Sequence, residues 1–147
     1  MTPKHPVSVL VLVHTPALEV LLLERVTRPG WWQSVTGSLD RPEEPPAAAA
    51  LREVAEETGI VAQARALERW NLLYTFEIYP QWRHRFAAGT THNTEHVFSL
   101  ELPGRAQVRL AQDEHRASRW LPWREAAAEC FSWSNRDAIR ILGERSR

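Results

Sequence analysis

Two stretches near the start of the chain are almost free of polar residues. Val7–His14 and Val20–Leu23 are dense in β-branched and aliphatic side chains, which predicts buried strands, and Thr15-Pro16 between them is a turn signal. A hairpin-like start is expected. Trp31–Thr36 reads as a third short strand ending at Gly37, and the residues from there to Pro46, with Asp40, Pro42 and two adjacent prolines, read as turns. At Pro45-Pro46 the pattern changes. Proline fits a first helical turn, where backbone donors lack intrahelical partners, so the prolines start a helix over Ala47–Thr58. Its alanines and glutamates favour that state, and Gly59 suits the left-handed residue just past its end. Ile60–Tyr79 and Thr94–Leu102 look strand-rich around a loop, Pro80–His92, and Leu110–Leu121 supplies a connection and a strand. Pro122–Cys130 and Ser134–Arg145 read as helices, the second capped by Ser134 with Asp137 in its first turn. No repeat, low-complexity tract or linker interrupts this order. The expected fold class is α+β, a mixed sheet flanked by helices in one domain over 1–147.

The helix over 47–58 carries the chemistry. Glu53, Glu56 and Glu57 stand at i, i+3 and i+4, within one arc of about 100°, while Leu51, Val54, Ala55 and Thr58, with Ala47 and Ala48, are expected on the opposite, core-facing side. Three acids so close repel one another, a cost that a hard divalent cation removes. Mg²⁺ fits, because it takes oxygen ligands and is shared with substrate phosphates. The plain alternative is a solvated acidic face.

Spacing decides between them. Arg52-Glu53-Val54-Ala55-Glu56-Glu57-Thr58-Gly59-Ile60 fits the pattern R-E-U-x-E-E-x-G-U, where U is aliphatic, with Glu44 eight positions before Arg52; the nine-residue pattern should arise by chance in roughly one chain of this length in 10⁴ to 10⁵. The string resembles the signature box of the Nudix hydrolases. That resemblance implies a Nudix-type α/β/α sandwich with a loop–helix–loop metal site, and a hydrolase that cuts phosphoanhydride bonds. It implies Glu53 and Glu57 as metal ligands, Glu56 as a further catalytic carboxylate, and Gly37, Glu44, Arg52 and Gly59 as the structural box, with Arg52 pairing Glu44. One departure stands out: six residues separate Gly37 from Glu44, where the family pattern has five. Keeping the helix rigid places the extra residue in Ser38–Glu43, since an insertion within the helix would rotate every carboxylate by about 100°.

Outside the box, four blocks are similar to the bacterial branch of this family that releases pyrophosphate from 7,8-dihydroneopterin triphosphate, leaving the monophosphate, in folate biosynthesis. They are His5–Leu10, Trp32–Ser38, Arg83–Ala87 with Asn93-Thr94-Glu95, and Trp133–Arg136. Carried over by position, the resemblance places Lys4, Arg25, Thr36, Phe76, Glu77, Ile78, Tyr79, His115 and Ser132 at the substrate. It adds Glu114 as third metal ligand or base. Lys and Arg suit a polyphosphate and aromatic rings a flat heterocycle, although Phe76 and Ile78 equally suit an ordinary strand core. Arg83 and Arg85 are either an anion-facing pair or a solvated loop. The implied cofactor is Mg²⁺, with Mn²⁺ as a substitute, and the implied substrate a pterin or nucleoside triphosphate. A nucleotide-binding module without activity is the rival of another class.

Composition narrows the partners. Lys plus Arg and Asp plus Glu number 18 each, so no global field draws the protein to nucleic acid or to an anionic membrane, and any anion site is built locally. The longest apolar run is too short to span a bilayer. Cys130 is the sole cysteine; with no basic-then-apolar leader, the expectation is a reducing cytoplasm. Nothing marks Cys130 as a nucleophile. Seven tryptophans are the compositional surprise.

Overall fold

Alternate residues of the first strand feed two separate cores. In the computed structural model, which describes residues 2–146, β1 (Val7–His14) sends Val9, Val11 and Val13 towards Ala49, Ala50 and Val54 of α1 (Pro46–Thr58). Leu10 and Leu12 point the other way, to Ala126 and Ala127 of α2 (Trp123–Glu129) and to Ala138, Ile139 and Leu142 of α3 (Trp133–Arg145). The near-continuous apolar run of β1 follows from burial on both faces. This is the α/β/α arrangement expected from the sequence.

The sheet between the helices has seven strands. The remaining ones are β2 (Glu19–Arg25), β3 (Trp32–Gln33), β4 (Val35–Ser38), β5 (Leu67–Glu77), β6 (His92–Glu101) and β7 (His115–Pro122). β1 pairs in parallel with β6 along its whole length, and every other pairing is antiparallel. The other edge of β1 is shared: β4 takes Ser8–Val11, while β2 touches it only at His14↔Val20 before leaving to pair with β3 and β7. The hairpin expected at the start is therefore confined to its turn.

That fork explains a second correction. Trp31–Thr36 is not one strand, because the chain changes partner at Ser34: Gln33 pairs with Leu23 of β2, and Val35 with Val11 of β1. The backbone N–H of Ser34 goes to Oδ1 of Asn135 at 2.8 Å, and Nδ2 of Asn135 returns a bond to the Ser34 hydroxyl at 2.9 Å. A buried side-chain amide thus replaces the ladder at the crossing. Elsewhere, 61–63 is irregular and Ala64–Ala66 a 3₁₀ turn, so β5 starts only at Leu67, while Pro80–Arg85 forms a 3₁₀ turn within the expected loop. The cap of α3 is Ser132, whose hydroxyl accepts from the Asn135 N–H, and not Ser134, which is buried in the first turn. Among the described residues no helix is long and apolar enough to cross a membrane.

Candidate active site

α1 begins with Pro45 as cap and Pro46 in its first turn, and ends at Gly59, whose φ of 74° allows its N–H to close on the Ala55 carbonyl at 2.9 Å. Its buried positions are Ala49, Ala50, Glu53, Val54, Glu57 and Thr58. The expected division into a core face and a carboxylate face is corrected here. Glu53 and Glu57 lie on the sheet side, Glu56 faces solvent, and Ala47 and Ala48 are exposed. The reason is periodicity: an arc through 49, 50, 53, 54, 57 and 58 is the stripe a packed helix buries, and two of the three glutamates fall on it.

What they pack against is the backbone of β4. A Cβ at Gly37 would lie 2.2 Å from the Glu53 carboxyl carbon, so glycine is what admits that carboxylate. Glu57, 2 % exposed, accepts from the backbone of Thr36 and shares a hydrogen bond with Glu53. Burial raises the pKa of both, and for Glu57 the Glu53 hydrogen bond and charge and the Glu114 charge push further the same way. Glu57 Oε1 is fully buried without a partner.

The loop before α1 is held by Arg52. Its Nε and Nη2 each donate to the Glu44 carboxylate at 3.0 Å, Nη2 also reaches the Ser38 carbonyl at 3.1 Å, and Nη1 donates to Glu53 at 2.8 Å and Glu56 at 3.3 Å. The Asp40 N–H closes the turn on Glu44 at 2.8 Å. These bonds hold the Glu44 carboxyl below its ordinary range, the Arg52 hydrogen bonds being the main cause. Glu43 points outward to Arg41 at 3.3 Å. The pair that clamps the loop is thus Glu44 with Arg52, and the extra residue is absorbed before it.

A group of cations, Lys4, Arg25 and Arg85, lies close enough for Lys4 and Arg25 to feel the charge of Glu53 and Glu57 respectively. Burial lowers the pKa of Arg25, at the end of β2, and the Arg85 charge lowers it further, while Glu57 and Glu114 raise it. Lys4 is surface-exposed as a residue, yet its ammonium is pulled down by loss of water and then by Arg85 and Arg25, against Glu53 and Glu114. Lys4 is tied in place by its backbone N–H to the Arg85 carbonyl at 2.8 Å. Arg83 turns away, to Glu77 at 3.0 Å and the Ile78 carbonyl at 3.0 Å. Of the two loop arginines, Arg85 is the one near the site. His115 is buried, with Nε2 3.9 Å from Glu57 Oε1 and 3.5 Å from Gln33 Nε2; burial, then Arg25, pushes it down to about 4, so it is neutral near pH 7. Glu114 is exposed in the turn before β7, with its carbonyl accepting from Val26 at 2.9 Å.

The aromatic wall differs from the expected Phe76–Tyr79 strip. Trp31 stacks on Phe131 with centroids 4.4 Å apart, and Tyr79 and Trp82 meet Trp31 edge-on at 6.1 and 6.0 Å. The Arg25 guanidinium lies 4.9 Å from the Trp82 ring centroid, which joins this collar to the cation group. Phe76 instead packs under the α3-side core, Ile78 is buried, and Glu77 is exposed and held by Arg83. Thr36 pairs with Leu10 and shares its face, the α3 side of the sheet. Trp31, Trp82, Phe131 and Gln33 were missed from the sequence. The signal was the tryptophan excess and the arginines beside it, but their partners are too distant in the chain to be paired from spacing. Cys130 is buried and its thiol pushed up to about 12 by that burial, which leaves it unreactive.

The residues present fit a divalent cation. Two neighbouring buried carboxyls, both with raised pKa and one with an orphaned oxygen, form an arrangement that a hard cation would satisfy. The third expected ligand, Glu114, stands apart: among the described residues no three acidic, His or Cys side chains converge at ligand distance. The pair and the cations opposite it can bind a polyanion through metal and direct charge contacts.

Comparison with known proteins agrees with this chemistry. The NUDIX domain model matches residues 4–141. Dihydroneopterin triphosphate diphosphatase of Escherichia coli K12 is 45% identical over 139 residues, covering 92% of this chain and 91% of the relative. The protein of the same name from Haemophilus influenzae is 35% identical over 143 residues, covering 95% and 89%. The solved structure of the E. coli dihydroneopterin triphosphate pyrophosphohydrolase superposes with a TM-score of 0.88 at 43% identity, covering 95% of this chain and 96% of that one. With the box helix, its arginine clamp and a domain match across nearly all of its length, the chain belongs to the Nudix family of hydrolases, enzymes that work with divalent metal ions.

Proposed function

We propose that the chain acts as one domain over 1–147 and is a Mg²⁺-dependent pyrophosphohydrolase converting 7,8-dihydroneopterin triphosphate to dihydroneopterin monophosphate and pyrophosphate. The observation that carries this reading is the opposition of the buried Glu53–Glu57 pair to Lys4, Arg25 and Arg85 beside an aromatic collar. The likeness to the two bacterial diphosphatases supplies the substrate.

Glu53 and Glu57 would hold the cation, Mg²⁺ or Mn²⁺, which when bound would neutralise phosphate charge and make a nearby water more acidic. Lys4, Arg25 and Arg85 bind the polyphosphate and stabilise charge on the leaving pyrophosphate. A water oxygen forms the new bond to phosphorus as the phosphoanhydride P–O bond breaks, and Glu114 accepts the water proton; Glu56, on the outer face, acts through Arg52. His115, neutral, positions substrate alongside Thr36 and Ser132, and the collar takes the ring. The reducing cytoplasm, where this substrate class occurs, is the proposed compartment.

A turnover panel tests the reading. With Mg²⁺ and pyrophosphate detection, kcat/KM for dihydroneopterin triphosphate should exceed that for each common nucleoside triphosphate at least tenfold, and chelator should abolish it. A nucleotide at the head of the panel would replace the pterin, and full activity in excess chelator would remove the metal.

A further inference from the structure

One buried acid on the α3 side of the sheet has no place in the polyphosphate site. Glu95 of β6 is 5 % exposed and stands beside Ser8 of β1 and Tyr74 of β5. A carboxylate offers about four lone-pair positions. Among the described residues one donor meets it, the Ser134 hydroxyl at 3.1 Å. The other nearby polar groups are engaged elsewhere: Tyr74 donates to Asp137 at 2.5 Å, Asn93 to Ser8 at 2.8 Å, and Asn135 to Ser34. Glu95 does not cap α3, since no backbone N–H of that helix reaches it. Burial holds its pKa up to about 7, as expected of a carboxyl short of donors. A buried acceptor so poorly satisfied costs stability, and such groups concentrate at functional sites.

Its position is consistent with a ligand. Ser134 Oγ lies 3.0 Å from Ser132 Oγ, so Glu95 is two hydrogen bonds from a residue proposed to touch substrate. Thr36, Ser8 and Glu95 share one face of three adjacent strands, with Phe76 beside Asn93 at its edge. This is a buried polar patch one hydroxyl removed from Ser132, the residue that follows Phe131 of the aromatic collar.

We propose that Glu95 reads the heterocycle, accepting hydrogen bonds from the exocyclic amine and adjacent ring N–H of a 2-amino-4-oxopyrimidine edge, the edge that dihydropterins share with guanine. Two parallel N–H donors match two carboxylate oxygens, and an adenine ring offers no such pair. The assignment rests on the function proposed above and adds the specificity determinant to it.

GTP and ITP differ in that one amine and are the probes. Their Kd values are measured by tryptophan fluorescence, and kcat/KM by pyrophosphate release, for wild type, Glu95→Gln and Ser134→Ala. Wild type should favour GTP at least tenfold. Glu95→Gln should bring the ratio towards one, GTP losing more than ITP, which forfeits only the ring N–H contact, and Ser134→Ala, which leaves the carboxylate in place, should keep the ratio. No preference in wild type, an equal fall for both nucleotides in Glu95→Gln, or a ratio that follows Ser134 instead would each overturn the assignment. Should Glu95→Gln fail to fold, Glu95→Asp withdraws the carboxylate by one methylene and should lose the preference alike; a retained preference there overturns it. If the ratio collapses in Glu95→Gln while the panel ranks a nucleotide above dihydroneopterin triphosphate, the edge assignment stands and the pterin reading falls.

Discussion

The Glu53 carboxyl occupies the space where Gly37 has no side chain, with all three carboxyl atoms within 2.5 Å of a Cβ built there. The glycine is required by contact and not by backbone conformation, since 37 is an ordinary strand position paired with Val9. A methyl group at 37 must displace the carboxylate, because the opposing atoms of α1 are packed against the core. Gly37→Ala should therefore cut turnover by roughly 10²-fold, the scale of a lost catalytic contact, and weaken divalent binding. The thermal midpoint should move much less, since the apolar stripe of α1 is untouched. Near-wild-type kinetics in Gly37→Ala would show that Glu53 works from elsewhere.

Glu44 and Glu43 are neighbours with opposite fates, and this bears on the extra loop residue. Glu44 is buried and receives two Arg52 bonds and the Asp40 N–H, whereas Glu43 is exposed with Arg41. Glu44→Gln should lose about 1.5–3 kcal/mol of stability, as charged hydrogen bonds do, along with activity, because the same guanidinium positions Glu53. Glu43→Gln should be nearly silent, exposed pairs contributing little. Denaturant melts and initial rates on the two variants check the ranking, and a reversed ranking would place the insertion after Glu43.

Local spacing made α1 legible. Its prolines, Gly59 and the glutamate positions all lie within Pro45–Gly59, and the Arg52–Glu44 clamp spans only eight positions. Fold class was legible too, because the order of apolar strand runs and helical segments along the chain already describes a mixed sheet flanked by helices. What stayed hidden depends on residues far apart in the chain. Ser34 and Asn135 are 101 positions apart, Glu95 and Ser134 are 39 apart, and Trp31 meets Phe131 across a similar distance. The sharing of a β1 edge by β2 and β4 leaves no periodic trace either, since β4 is only four residues, Val35–Ser38, with a single aliphatic side chain. Even on α1 the sequence named the three acids without telling which would be buried; that depended on where the sheet lay.

Glu95 also sets a pH dependence in the ligand-free protein. Its folded pKa is raised to about 7 from 4.5, so the neutral form is favoured in the fold. The stability it contributes is complete below pH 4.5 and is lost as pH rises through 7. Glu95→Gln stays neutral throughout. The variant should therefore gain on wild type between pH 5 and 8, by up to roughly 3 kcal/mol, in urea melts at a series of pH values. A gap that does not change with pH would mean that Glu95 titrates normally.

Glu114 is the proposed site residue that the box helix does not reveal. It is exposed in the turn before β7, where its neighbour His115 is buried beside Glu57 and its own charge reaches Glu57, Lys4 and Arg25. Asp113 is the adjacent competitor, and side chains of successive residues entering a strand point apart. Glu114→Gln keeps the volume and removes the charge. If Glu114 takes the water proton, turnover should fall by roughly 10²-fold or more, while KM, set by Lys4, Arg25 and the collar, changes much less. Asp113→Asn should be mild. Folding should be intact in both, because neither side chain is buried. Steady-state kinetics at saturating Mg²⁺, followed by pyrophosphate release, separate the two. An unimpaired Glu114→Gln enzyme would reduce Glu114 to a solvated loop carboxylate and leave Glu53 and Glu57 as the only acids at the reacting phosphate.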